Sequence, residues 1–429
     1  MKVGFLAALA TCGAVWAQGS ENEDPFYARA ITLMEQSPLI DTHVDLPQIL
    51  RSLSRRPLDI IPQFAEHIPG HVDIPRLREG HLGAAFWTVW APCHELVGED
   101  PGQDFTTPTN ALRDSLEMLD LIQNMIKQHP EHLQYAHSSS DIKEAFESGK
   151  IASLIGMEGT HLLGNSLGAL RIFAQMGVRY LTLTHTCHSA FASSNGAGGP
   201  MVAVHEGNGL TDLGKELIGE LNRLGIMIDL SHTSDNTMKQ AIGLSKAPVV
   251  WTHSGSRTQW DHPRNVPDDV LELMGDAPGK NKGVVQSVFY PPFIGPPDAA
   301  NVSRVADHIE YIARKIGKKH VGIASDFDGM YSSVEGLEDA SKYPNLVAEL
   351  LSRGWTDDEV KDVMGGNLMR VMDEVDVLKE TLNEALPSAA IWEKRKDLPS
   401  VNWGGADDAY FPYEVRSAVA KLSVKHDEL

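Results

Sequence analysis

The sequence predicts a closed (β/α)8 barrel of the TIM type, with extra loops and a C-terminal extension. Eight short runs are apolar almost throughout, the pattern of strands covered on both faces of a parallel sheet. Stretches with helical period lie between them, so strand and helix alternate along the chain. Eight such units point to a closed barrel rather than an open doubly wound sheet. No glycine-rich phosphate turn follows the first run, which weighs against a nucleotide-binding sheet.

Lys2 precedes an apolar stretch over 3–16, and Val15 and Ala17 put small residues ahead of Gln18. Residues 1–17 are therefore expected to be a secretory signal cleaved after Ala17. A short amphipathic segment occupies 25–36. The strand runs are 39–45 (LIDTHVD), 81–91 (HLGAAFWTVWA), 151–159 (IASLIGMEG) and 178–185 (VRYLTLTH). They continue with 225–232 (GIMIDLSH), 247–254 (APVVWTHS), 282–290 (KGVVQSVFY) and 320–329 (HVGIASDFDG). Among the helical stretches, 109–128 sets Leu112, Leu116, Leu119, Ile122 and Ile126 along one face. The stretch 211–224 opens on a Thr-Asp cap and repeats Leu213, Leu217, Leu221 and Leu224. Segments 233–244, 302–316 and 343–353 behave alike. Residues 51–80, the Gly-rich loop 193–209 and the tail after Asp376 fit no unit. Trp392, Trp403, Tyr410, Phe411 and Tyr413 are expected to pack that tail onto the body. The main domain is thus expected over 18–375, and 376–429 is an extension.

With 42% hydrophobic and 22% charged residues the composition is that of a globular protein. The net charge of −21 argues against nucleic acid or anionic membrane as partner. No stretch after the leader is apolar for long enough to span a bilayer. The final residues read HDEL, a receptor-read signal for retention in the endoplasmic reticulum, so its lumen is the expected location and plain secretion the alternative. A polar end also excludes a GPI signal, and no membrane anchor is expected. Once Cys12 leaves with the leader, Cys93 and Cys187 remain. In an oxidising compartment they are either one disulfide or two buried thiols. Asn301-Val302-Ser303 is a glycosylation acceptor.

In a barrel the C-terminal ends of the strands converge on one mouth, where catalysis is found. His43 and Asp45 lie there from the first strand, two residues apart and so on one strand face. Glu158 ends the third strand, His185 the fourth, His232 the fifth and His253 the sixth; Asp326 and Asp328 end the eighth. Each alone has a plain reading as a hydrogen-bonded core histidine or a helix cap. Together, at one end of otherwise apolar strands, they would be costly to bury without a metal or substrate. His43 and Asp45 suit one ion, His232 and His253 a second, and the Glu158 carboxylate can give an oxygen to each. Two-metal sites make a hydroxide nucleophile at neutral pH and polarise the attacked carbonyl. Mostly imidazole ligands favour Zn2+ over magnesium.

These residues resemble the membrane (renal-type) dipeptidases, a family of dinuclear zinc peptidases of the metal-dependent hydrolase kind. The similarity runs from about Pro38 to about Met372. It takes in the H-x-D of His43 and Asp45, GMEG around Glu158, YLTLTH ending at His185 and LNRLGIMIDLSH ending at His232. APVVWTHS around His253, RNVPDDV from Arg264, SDFDG around Asp326 and EGLEDASKYPNL over 335–346 complete it. The resemblance implies the same ligand set, with Glu158 bridging. It implies that His185 contacts substrate and stabilises the oxyanion, and that Asp326 orients the water and passes its proton to the leaving amine. It makes Arg264 the clamp for the substrate carboxylate; composition alone does not separate Arg264 from Arg257. Tyr290 is either a pocket residue or an ordinary core contact. A Cys93–Cys187 disulfide, tolerance of a D-residue at the second position, and a homodimer are further implications. The chain departs from the family's animal members in carrying HDEL instead of a lipid-anchor signal, and residues 189–209 do not align.

The function expected is hydrolysis of dipeptides. One alternative is a metal amidohydrolase acting on a cyclic amide or lactone. Many such enzymes bridge their metals with a carbamylated lysine on the fourth strand, where this chain has Thr184-His185. The other alternative is an inactive zinc-binding protein of the endoplasmic reticulum.

Overall fold

The computed structural model describes residues 24–93, 110–196, 205–392 and 412–418. The expected leader, the HDEL end, Trp403, Tyr410 and Phe411 lie outside these residues. Nine strands form one parallel sheet: β1 (Leu39–Val44), β2 (Leu82–Val89), β3 (Leu133–Tyr135), β4 (Ile151–Glu158), β5 (Val178–Thr182), β6 (Met227–Asp229), β7 (Val250–Ser254), β8 (Val284–Ser287) and β9 (Val321–Ile323). Their order is β1-β2-β4-β5-β6-β7-β8-β9, with β3 added beside β4. The ring closes just above β9, where Val44 bridges Phe327 in parallel and the Asp45 amide donates to the Phe327 carbonyl at 2.8 Å. The barrel expected from the apolar runs is therefore present; the three-residue β3 carries too little pattern to be foreseen.

Helix Pro25–Gln36 starts where Asp24 accepts from the Phe26 amide and Pro25 takes the first turn. Helix Asp212–Leu224 is capped by the Thr211 side chain and ends on left-handed Gly225, as the Thr-Asp cap predicted. Asn301 caps helix Val302–Ile316 by accepting from the Arg304 amide at 3.0 Å, so the glycosylation acceptor sits at a helix entrance.

The core divides in two. The larger part lies between the strands and the outer helices. The smaller includes Ala84 and Phe86, Ala152 and Leu154, and Tyr180, alternate positions that point into the barrel. It continues onto Leu368, Val371 and Met372 of helix Asn367–Thr381, which covers the N-terminal end of the barrel. With that end plugged, the open mouth is at the opposite end.

Beyond residue 381 the chain turns back onto the helices. The Ser388 hydroxyl donates to Glu216 at 2.8 Å, and Trp392 is fully buried. Tyr413 does not follow the expectation for the tail aromatics: it is 73% exposed. Its helix makes no apolar contact with the core among the described residues, so burial does not hold it. Among the described residues, no helix is long and apolar enough to cross a membrane.

Candidate metal centre

Four strands bring their polar ends to one carboxylate oxygen. Glu158 Oε1, at the end of β4, lies 2.9 Å from His232 Nε2, 3.3 Å from His253 Nε2, 3.6 Å from His43 Nε2 and 3.9 Å from His185 Nε2. His232 Nε2 and His253 Nε2 are 3.0 Å apart, and His43 Nε2 is 3.2 Å from Asp45 Oδ2. Asp326 joins His43 and Asp45 in a third grouping with ligand spacing. All these residues are buried except His185, which is half-buried.

The strands stop earlier than their apolar runs suggest. β5 ends three residues before His185, β6 three before His232 and β9 three before Asp326. His232 and Asp326 then take left-handed backbone angles, φ 67° and 63°, which cost a non-glycine residue about 1 kcal/mol. Asp45 likewise lies past β1, so it shares a face with His43 through the turn into helix Leu46–Leu53 rather than through strand alternation. Asp328 does not join the cluster. It stays buried but turns to His71, accepting from that residue's amide at 2.6 Å.

The donor set fits divalent cations. His43 Nε2, Asp45 Oδ1 and His232 Nδ1 are buried without a hydrogen-bond partner. A Cβ on Gly329 would lie 2.4 Å from Asp45 Oδ2 and 2.5 Å from Asp326 Oδ1, so this glycine keeps open the cradle between the two carboxylates. Burial lowers the pKa of His185, His232 and His253 well below that of free imidazole, which leaves them neutral as ligands must be. Burial raises Glu158 and Asp326. At His43 burial opposes the charge, but Glu158, Asp45 and Asp326 outweigh it and pull the pKa up. The cluster thus demands positive charge, which metal ions would meet.

Arg264 faces the same cavity, of about 410 Å³. Its guanidinium is buried beside Phe293, donates to the His253 carbonyl at 3.2 Å and leaves Nε without a partner. It has no ion pair among the described residues. Burial lowers its pKa to about 10. Arg257 is already committed, since both its terminal nitrogens bind Asp235, at 2.7 and 2.8 Å. Of the two arginines, Arg264 is the one that lines the cavity and has no carboxylate partner among the described residues. Tyr290 lines the cavity, edge-on to Phe293 at 4.7 Å and to Tyr331 at 5.4 Å.

Trp90, His262, Phe293 and Tyr331 also line the cavity. No sequence signal marked them: Trp90 follows a strand, Phe293 lies in a short helix, and His262 and Tyr331 lie in loops, where an aromatic ring carries no mark of a cavity. Cys93 and Cys187 are joined, and Cys93 Sγ lies 3.8 Å from His185 Nδ1. The disulfide thus ties the loop after β2 to the loop carrying His185.

A family model for the membrane dipeptidases (peptidase family M19) matches residues 27–386. The chain belongs to the membrane dipeptidase family. It is 38% identical over 383 residues to dipeptidase verJ of Clonostachys rogersoniana, covering 87% of this chain and 94% of that protein. It is 39% identical over 361 residues to dipeptidase aclJ of Aspergillus oryzae, covering 83% and 82%. Among solved structures, a metallopeptidase from Rhodobacter sphaeroides, liganded with a phosphinate mimic of the dipeptide L-Ala-D-Ala, matches the fold with a TM-score of 0.68. It is 24% identical and covers 79% of this chain and 99% of its own. As a membrane dipeptidase family member the protein is a metal-dependent hydrolase of dipeptidase type.

Proposed function

We propose that the protein is a two-zinc dipeptidase cleaving the single peptide bond of substrates with a free amino end and a free carboxylate. The observation that carries this reading is Glu158 Oε1 ringed by four imidazole nitrogens, with an unpaired arginine in the same cavity. His43 and Asp45 would hold one ion, His232 and His253 the other, and Glu158 would lie between them. Ions held there supply a water activated at neutral pH and polarise the carbonyl under attack.

The chain's own residues do the rest. Arg264 receives the substrate carboxylate, whose charge offsets a guanidinium that burial disfavours. Neutral His185 can accept a hydrogen bond at Nδ1 from the Thr186 hydroxyl, 3.2 Å away, leaving Nε2–H to donate to the oxyanion. Asp326, whose pKa burial raises, takes a proton from the attacking water as a carboxylate and returns it to the leaving amine. Tyr290 walls the carboxylate side of the pocket. Arg264 at one end and the acidic cluster at the other limit substrates to dipeptide length. The L-Ala-D-Ala mimic in the Rhodobacter structure supports tolerance of a D-residue at the second position. We further propose a homodimer resident in the lumen of the endoplasmic reticulum, retrieved by the HDEL receptor, and glycosylated at Asn301, whose Nδ2 is left free by the helix cap.

The test is a panel of L,L- and L,D-dipeptides, N-acetyl and amidated dipeptides, tripeptides and a cyclic amide, offered to zinc-restored protein. Turnover confined to free dipeptides is expected. Equal turnover of the amidated or cyclic compounds would overturn the reading.

A further inference from the structure

Asp229 ends β6, is fully buried, and has no cation in contact among the described residues. Five uncharged donors surround it instead. Its Oδ1 accepts from the Ser231 amide at 3.0 Å, the Ser231 hydroxyl at 2.9 Å and the Thr252 amide at 2.9 Å. Its Oδ2 accepts from the hydroxyls of Thr182 at 2.6 Å and Thr252 at 2.7 Å. Two neighbouring strands and the turn after β6 therefore satisfy one carboxylate beside the candidate metal centre. A hydrophobic residue there would be cheaper for the fold alone.

A carboxylate of this kind only accepts, and this sets the direction of the next bond. The Thr252 hydroxyl has one proton and gives it to Asp229. Toward His253 Nδ1, 2.9 Å away, the same hydroxyl can then only accept. Nδ1 must carry the imidazole proton, and Nε2 is left as a lone pair. Nε2 is the atom that faces Glu158 Oε1 at 3.3 Å and His232 Nε2 at 3.0 Å.

We propose that Asp229 is a positioning residue which, through the Thr252 hydroxyl, fixes His253 in the tautomer that can bind a metal ion. Outer partners of this kind orient a ligand imidazole and raise its basicity. The inference rests on the reading of His253 as a ligand. It predicts that shape is not enough at position 229. An asparagine there can donate to Thr252 through its amide, which frees the Thr252 hydroxyl to donate to Nδ1 and moves the imidazole proton onto Nε2.

The experiment uses the full chain, stripped of metal and titrated with Zn2+ against a chromophoric chelator. Imidazole 15N shifts of the metal-free protein report the His253 tautomer. Thr252→Val and Asp229→Asn are expected to weaken one of two zinc sites about 10- to 100-fold and to lose the Nδ1–H signature, with Thr252→Ser behaving as wild type. Metal-free Thr252→Val should melt somewhat below Thr252→Ser, since it takes one donor from a buried carboxylate, but still cooperatively, and this pair decides the matter even where Asp229→Asn does not fold. Wild-type zinc affinity and tautomer in Thr252→Val, with a zinc lost in His253→Ala, would overturn the inference and leave the metal reading standing. Two zincs retained in His253→Ala would instead overturn the ligand role of His253.

Discussion

At the scale of single residues, the site turns on how much each group can do alone. Among the described residues, Glu158 is the one side chain within 4 Å of four imidazole nitrogens, so none of them can substitute for it. Glu158→Gln keeps its shape and loses its charge. We expect it to lose at least one metal and to fall by roughly a thousandfold or more in kcat while melting cooperatively, as read by metal analysis beside calorimetry. On the proposed reading, Arg264→Met removes a clamp used by substrate and transition state alike. KM for free dipeptides should rise roughly 10- to 100-fold with a smaller change in kcat, and an amidated dipeptide should lose little. That these residues gather at one mouth was legible because a titratable side chain ending an apolar run has little other reason to be there. Trp90, Phe293 and Tyr331 were not legible, since nothing in a sequence separates a cavity aromatic from a core one. Asp229 was hidden inside GIMIDLSH for a different reason: the hydroxyls that give it a role, Thr182 and Thr252, come from other strands.

Elements place these residues through strand ends and the turns that follow. The apolar runs identified every strand but β3, and overran β5, β6 and β9, because ladder pairing ceases where the chain bends to present His185, His232 and Asp326. Inside the barrel, His43 Nδ1 is 2.9 Å from the Tyr180 hydroxyl, and that ring lies against Gly156 of β4. A Cβ at Gly156 would fall 2.0 Å from Tyr180 Cζ. Gly156→Ala should therefore displace Tyr180, lower the melting temperature and weaken zinc binding on the His43 side, measurable by the same chelator competition. Under the loop that carries Arg264, buried His308 accepts from the Ser256 amide at 3.0 Å and bonds the Ile294 carbonyl at 3.1 Å. Burial lowers its pKa from 6.5 to about 4. The unfolded chain then binds more protons between those values. Stability is fully present above pH 6.5 and is lost as pH falls toward 4, by up to about 3 kcal/mol from this residue. His308→Gln should flatten the fall in unfolding free energy between pH 7 and pH 4.5, and an unchanged slope would assign that fall to other groups.

For the whole molecule, the barrel is held at its mouth by one covalent tie across 94 residues of chain. A loop of that length gives a disulfide about 4–5 kcal/mol of stabilisation in the chain-entropy view. Replacing both Cys93 and Cys187 by alanine should lower the melting temperature. It should also reduce kcat, because Cys93 Sγ packs 3.8 Å from His185 Nδ1. The eight strands of the ring and its closure were readable from the eight runs, since burial on both faces leaves almost no polar residue in them; the added β3 was not. How the tail returns to the body was readable only at Trp392, the one tail aromatic whose burial the fold shows. The account as a whole stands on two zinc ions sharing Glu158. Anomalous diffraction at the zinc edge from crystals of the active protein tests this most directly. Two peaks are predicted, one against His43 and Asp45 and one against His232 and His253, both in contact with Glu158. A single peak, or zinc bound away from Glu158 in fully active protein, would contradict it.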